Sequence, residues 1–343
     1  MGIKKGCLLI LIFIVQTTFA QNSGNNSIKI LSQKKGVSIR GLSVPNQSTI
    51  WASGSNGNIA LSVNGGTDFE WIQVKGYERR DFRSIHAWNN KEAIIVAVAA
   101  PAVILKTKDA GVTWYKVYEN ADTLMFLDAI HFKDDKNGSI VGDPIGQRIF
   151  LLNTKDKGEH WNQVESSYFK STLMEGEAFF ASSNSNLTYG RHQQFLVSGG
   201  ISSRLWINGE AIPLPLVQGG KSTGANSIAI SPNSNTLIIV GGDFMKDKIA
   251  EKNVAEYNYS KKTKNWILNN KITSPHGYRS SVVFIDPLFL ITCGTSGVDI
   301  SKDMGENWEL ISNESFHVLQ KQPNTKAAFL AGSGGRIGYI KWD

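Results

Sequence analysis

Cysteine is nearly absent: the 343-residue chain has two, Cys7 and Cys293. That excludes a disulfide framework and any Cys-x-x-Cys redox or zinc motif. Long apolar runs are also missing. The one compact run, residues 7–15, is too short to cross a bilayer as a helix, which takes roughly 20 residues. The six histidines (86, 131, 160, 192, 276 and 317) never fall at HxH or HExxH spacing, and no GxGxxG follows a strand. No metal and no cofactor are therefore expected. Lys and Arg exceed Asp and Glu by 36 to 29, but they are scattered. A nucleic-acid binder gathers them on one face, so no nucleic acid is expected as a partner.

What is present begins with a processing signal. Lys4 and Lys5 precede the apolar run, and Thr18-Phe19-Ala20 offers small residues for cleavage. This is the pattern of a secretory signal peptide over residues 1–20. Cys7 lies at the start of the run rather than after it, which argues against a lipid anchor. Cleavage would leave Gln21 first and lower the formal charge from +7 to +5. The expectation is an exported monomer, periplasmic or extracellular, with residues 21–343 forming one domain. The remaining cysteine, Cys293, sits in the apolar LFLITCG segment and reads as a small buried hydrophobe.

Internal repetition is the strongest signal. Thr107 to Trp114, Thr154 to Trp161 and Ser301 to Trp308 all read [ST]-x-D-x-G-x-x-W. Ser62 to Phe69 is a softened copy with Asn64 for Asp, and Tyr259 to Trp266 keeps only the final Trp. The chemistry suits a tight turn between two strands. Glycine permits positive φ. Asp109, Asp156 and Asp303 can bond nearby amides. Trp114, Trp161 and Trp308 can pack beneath the turn. These roles are structural.

The copies start at 62, 107, 154, 259 and 301, in steps of 45, 47, 105 and 42. A period near 45 with four short strands is one propeller blade. The double step hides a blade without a box, its third strand at Ser203–Gly209. Only three strands follow the last box, at 316–320, 327–331 and 336–342. The early segment 27–32 is expected to add the fourth. The fold class is thus all-β: a single seven-bladed β-propeller closed by its N-terminal strand in the C-terminal blade.

The boxes resemble those of sialidases and other Asp-box propellers. The whole stretch 28–342 more closely resembles the photosystem II stability and assembly factor-like propellers. It is especially similar to a secreted bacterial branch often labelled oxidoreductase. The segments that carry this likeness are 38–44, 81–83, 142–145, 222–227, 241–244 and 275–280. The resemblance implies the propeller fold and a binding or assembly role. The oxidoreductase label finds no supporting motif in these residues.

On a propeller, the box turns lie on one face. The loops joining second to third strands, and fourth to first strands, ring the channel mouth on the other. Aligning the first strands places a polar residue at each: Arg40, Arg83, Asp128, Glu177, Asn226, Arg279 and His317. The loops add Asp81, Pro101, Asp143, Asp243 and His276. Charges converging in a concave mouth shift one another's pKa values. Arginines there would hold a carboxylate or phosphate. The expected function is a non-enzymatic module docking a protein segment or an anionic ligand, glycans included, at this mouth. The alternative is a sialidase-like hydrolase using Asp128 and Glu177. The sialidase Arg-Ile-Pro opening is here Arg40-Gly41-Leu42, and no Tyr–Glu nucleophile pair can be placed.

Overall fold

The computed structural model describes Gly2 and residues 27–342. Apart from Gly2, the expected signal segment lies outside them. Strands are short, of two to eight residues, and most pair antiparallel with the next strand in the chain. Sheet A runs Ile39–Ser43, Ile50–Gly54, Asn58–Ser62 and Glu70–Gln73. Sheet B runs Phe82–Ala87, Ala93–Ala97, Ala102–Thr107 and Tyr115–Asn120. Sheet C runs Leu127–Phe132, Gly138–Ile145, Arg148–Thr154 and Asn162–Gln163.

Sheet D has nine strands. Its first half holds Glu177–Ala178, Leu187–Gly190, Gln193–Gly200, Arg204–Ile207 and Glu210–Pro213. Its second half holds Thr223–Ile230, Thr236–Asp243, Val254–Ser260 and Asn265–Asn269. One residue pair, Gly199 with Gly224, joins the halves. Neither glycine has room for a Cβ: one on Gly224 would lie 2.5 Å from the Gly199 Cα. The strand ladder crosses between the halves at this one pair, while their side chains pack in a shared core.

Sheet E runs Ser281–Phe284, Leu290–Gly294, Gly297–Ser301 and Glu309–Ser312. Sheet F runs Val318–Lys321, Ala327–Ala331 and Ile337–Lys341, with Lys29–Ser32 added antiparallel to Ile337–Lys341. The first strands of successive sheets pack side by side, and Ile39–Ser43 packs in turn on Val318–Lys321. The core lies between sheets rather than at one centre. Trp51 and Ile59 of sheet A meet Phe82 and Ile95 of sheet B, and Ile39 and Ile50 meet Val318 and Phe329 of sheet F.

The repeat turns explain why these sheets stay in register. In each, the hydroxyl of Thr107, Thr154 or Ser301 donates to the Asp two residues on, at 2.7–2.8 Å. The same hydroxyl accepts the amide of Gly111, Gly158 or Gly305. The softened copy keeps this pattern, with Ser62 and Asn64 at 3.0 Å. Gly158 sits at φ +80°, and a Cβ there would come 2.9 Å from Ile94 of sheet B. Each turn therefore rests on the sheet before it. Cys293 is buried in sheet E, and its thiol pKa is pushed up by burial.

Candidate functional site

Four first strands share a defect. The pairing register slips at Arg40, Arg83, Asp128 and Asn226, each the extra residue of a β-bulge. A bulge leaves one residue unpaired and re-aims its side chain. Here it turns Arg40, Arg83 and Asn226 into a cavity of about 410 Å³ at one end of the channel, while Asp128 sits beneath its wall.

Between Glu177–Ala178 and Leu187–Gly190 the chain leaves sheet D. Residues 179–186 cross to the channel axis and bond to the surrounding sheets. The Ser182 carbonyl accepts from Arg40 Nη1 at 3.2 Å. Asn184 accepts the Ile130 amide at 2.8 Å and donates to the Ile85 carbonyl at 3.0 Å. Ser183 donates to the Ser280 carbonyl, and Ser185 to Ser227. This plug floors the mouth cavity with Phe179, Phe180, Ala181 and Ser182. Its other side lines a second cavity of about 310 Å³ at the opposite end, with His131, Asn184, Phe284 and Lys321.

The charges of the mouth are unevenly paired. Among the described residues Arg40 has no carboxylate partner. Burial lowers its pKa, and the nearby Arg83 lowers it further. Arg83 turns instead to Asp81, at 2.8 Å. Asp143 lines the cavity, accepts the Phe179 amide at 3.1 Å, and is pushed up to about 6 by burial. Asp128 is fully buried and, among the described residues, makes no ion pair. Burial first, and Asp143 second, raise its pKa well above the carboxylate range, while the Ala181 amide and Arg83 pull the other way. His317 lines the cavity with its pKa lowered to about 4 by burial. Its Nδ1 lies 3.1 Å from the Ile39 carbonyl.

Other expected residues lie elsewhere. Glu177 does not face the cavity: Arg204 grips both its oxygens, with Nε at 3.0 Å from each. Arg279 is completely buried against Asp299, with Nε at 2.6 Å. His276 completes that cluster, its Nδ1 2.6 Å from Asp299. Asp243 caps its own loop by accepting from Ser222 and the Met245 amide.

The difference is one of position: Tyr278 and Ser280 line the cavity, while Arg279 between them points away to Asp299, as alternation along a strand requires. In sheet D the first strand breaks after Ala178, so the position aligned as Glu177 belongs to a different environment.

Sequence reasoning also missed the aromatic lining: Phe126, Phe179, Phe180, Phe244 and Tyr278. Phe180 and Phe244 meet edge to face at 5.9 Å, and Phe244 meets Tyr278 at 6.2 Å. The Tyr278 hydroxyl donates to Asn226 at 2.9 Å. Phe244 and Tyr278 fall inside two of the segments singled out above, which was the available signal.

No protein-family model and no curated protein matches the chain. Solved structures do. The chain shares the fold of YCF48. It is similar to "YCF48 bound to D1 peptide" at 17% identity and TM-score 0.61, over 91% of this chain and 96% of that one. It is similar to YCF48 from Cyanidioschyzon merolae at 14% identity and TM-score 0.63, over 92% and 99%. The architecture is therefore the β-propeller fold of those structures, as the sequence resemblance implied. Among the described residues no helix is long and apolar enough to cross a membrane.

Proposed function

We propose that this chain is an exported, non-enzymatic propeller of seven blades that docks a segment of another protein at the cavity floored by the plug. The blade count follows from taking the two halves of sheet D as separate blades. The cyclic order of the first strands and the pairing of Lys29–Ser32 into sheet F support that count. Export rests on the signal pattern of residues 1–20.

The observation that carries the binding reading is Arg40. A half-buried guanidinium without a carboxylate retains unmet capacity for an anion, and it lines a cavity open to solvent. An anionic group on the docked segment would supply that partner. Around the opening, Leu124, Met174, Ile201, Phe244, Met245 and Ile249 are exposed large apolar side chains on the loops of this face. Exposed apolar side chains beside the opening suit a protein partner better than a free sugar. A solved YCF48 holds a peptide, which agrees with this reading. Glu177, held by Arg204, is unavailable as a second carboxylate, so the hydrolase alternative loses its acid–base pair.

Site-specific photo-crosslinking in the native envelope tests the proposal. A crosslinker replacing Phe244 should capture a discrete protein, and Arg40→Gln should cut the yield about tenfold. A crosslinker at Val112, exposed on a box turn, should capture none. Capture from Val112 alone, or yields indifferent to Arg40, would refute it.

A further inference from the structure

Docking at the mouth leaves the cavity at the other end of the channel unused. That cavity, of about 310 Å³, lies beneath the plug, among Leu127–Phe132, Leu187–Gly190, Thr223–Ile230, Ser281–Phe284 and Val318–Lys321. Part of its wall is apolar, with Leu187, Ile230, Val283 and Phe284. Four polar side chains line the same space: His131, Thr188, Gln320 and Lys321. Among the described residues, no side-chain hydrogen bond engages His131, Thr188 or Gln320. Burial lowers the His131 pKa to about 4. Its imidazole is therefore neutral, with one nitrogen a donor and the other an acceptor. Lys321 donates to the Ile285 carbonyl and makes no ion pair among the described residues. An ammonium has three donors, so two of them, and the charge, stay unmatched.

Polar groups without protein partners are few in folded proteins. Three of them gathered with an ammonium against an apolar wall have the make-up of a small-molecule pocket, in which a few convergent polar groups fix the orientation of a largely apolar ligand. The volume lies at the lower end of the range for such sites, about 300–1,000 Å³, which limits the occupant to a small molecule. Charge narrows the class. One ammonium with no second cation in the lining suits a single negative charge. A dianion would leave one charge unmatched in a partly enclosed space. We propose that this cavity binds a small amphipathic monocarboxylate, its carboxylate on Lys321 and Gln320 and its hydrocarbon body along Leu187, Ile230, Val283 and Phe284. Thr188 and His131 offer a donor and an acceptor to a second polar group on that body.

Hexanoate and hexanamide, alike in shape but not in charge, are the probes, titrated by NMR into protein labelled at its alanine, isoleucine, leucine and valine methyls. Hexanoate should bind saturably, with a dissociation constant on the order of millimolar, and hexanamide about tenfold more weakly. The methyls that shift should be those of Leu187, Ile230 and Val283, which line this cavity. Those of Ala178 and Ala181, which line the mouth, should stay in place. Lys321→Met should abolish the preference for hexanoate. Equal binding of the two probes, no saturable binding of hexanoate, or shifts confined to Ala178 and Ala181 would each overturn the site. These three are read on the wild-type protein and decide the matter even if the variant fails to fold. A folded Lys321→Met protein that kept the preference would overturn it too. Crosslinking at Phe244 reads the mouth alone, so the two sites stand or fall separately.

Discussion

At the scale of single residues, two arginines that look alike in sequence have different work. Arg279 is wholly buried with Asp299, and its loss would leave that buried carboxylate with His276 alone for a side-chain partner. Removing one partner of a buried pair typically costs about 3–5 kcal/mol. Arg279→Ala should therefore lower the urea midpoint strongly, whereas Arg40→Gln, which removes an unpaired charge, should hold or raise it. Equal losses in the two variants would contradict this division.

The titrating groups divide as well. His86 is held at about 3 and His131 at about 4, both lowered mainly by burial. Unfolded histidine titrates near 6.5. The stability these two histidines lend is thus complete above about 6.5 and falls away as pH drops toward 4. Asp143 acts in the opposite sense. Raised to about 6, it favours the fold when protonated, and that contribution is lost as pH rises from about 4 through 6. Against wild type, His131→Phe should gain more stability at pH 5 than at pH 7.5. Asp143→Asn should gain more at pH 7.5 than at pH 5. Urea titrations at both pH values check the signs.

At the scale of elements, the strands and box turns were legible because their signals are local. Alternating apolar residues, turn glycines and the Ser/Thr–Asp spacing each act within a few residues. The plug was not legible. Nothing in the local pattern of residues 179–186 says that the strand breaks, because its bonds are to Ile85, Ile130 and Ser280, far away in sequence. The same holds for the bulges: alignment put Arg40 and Arg83 at positions that line the cavity, but near the start of sheet E the lining residues are Tyr278 and Ser280, one to either side of the aligned Arg279. Asn184→Ala should cost about 1–3 kcal/mol, because it strands the buried Ile130 amide. It should also speed amide exchange at Ile130 more than at Ile291, a core strand of sheet E. Uniform exchange changes would show that the plug is not a tie between sheets.

At the scale of the whole molecule, period and closure are consequences of the same chemistry repeated. A sheet packs on the neighbour at each of its faces, as sheet A does on B and F, and Lys29–Ser32 pairs with Ile337–Lys341 in sheet F. Export makes a separate claim on the first 20 residues: N-terminal sequencing of the protein recovered from its native envelope should begin at Gln21, and a start at Met1 would contradict it. The central claim concerns which face binds. Hydrogen exchange on the protein with and without its crosslink-captured partner addresses it most directly. The expected result is slowed exchange at residues 143, 178–182 and 244–249, with the box turns at 107–114 and 154–161 unchanged. Slowed exchange at the box turns, with the plug and its surrounding loops unaffected, would place the partner on the opposite face and contradict the account.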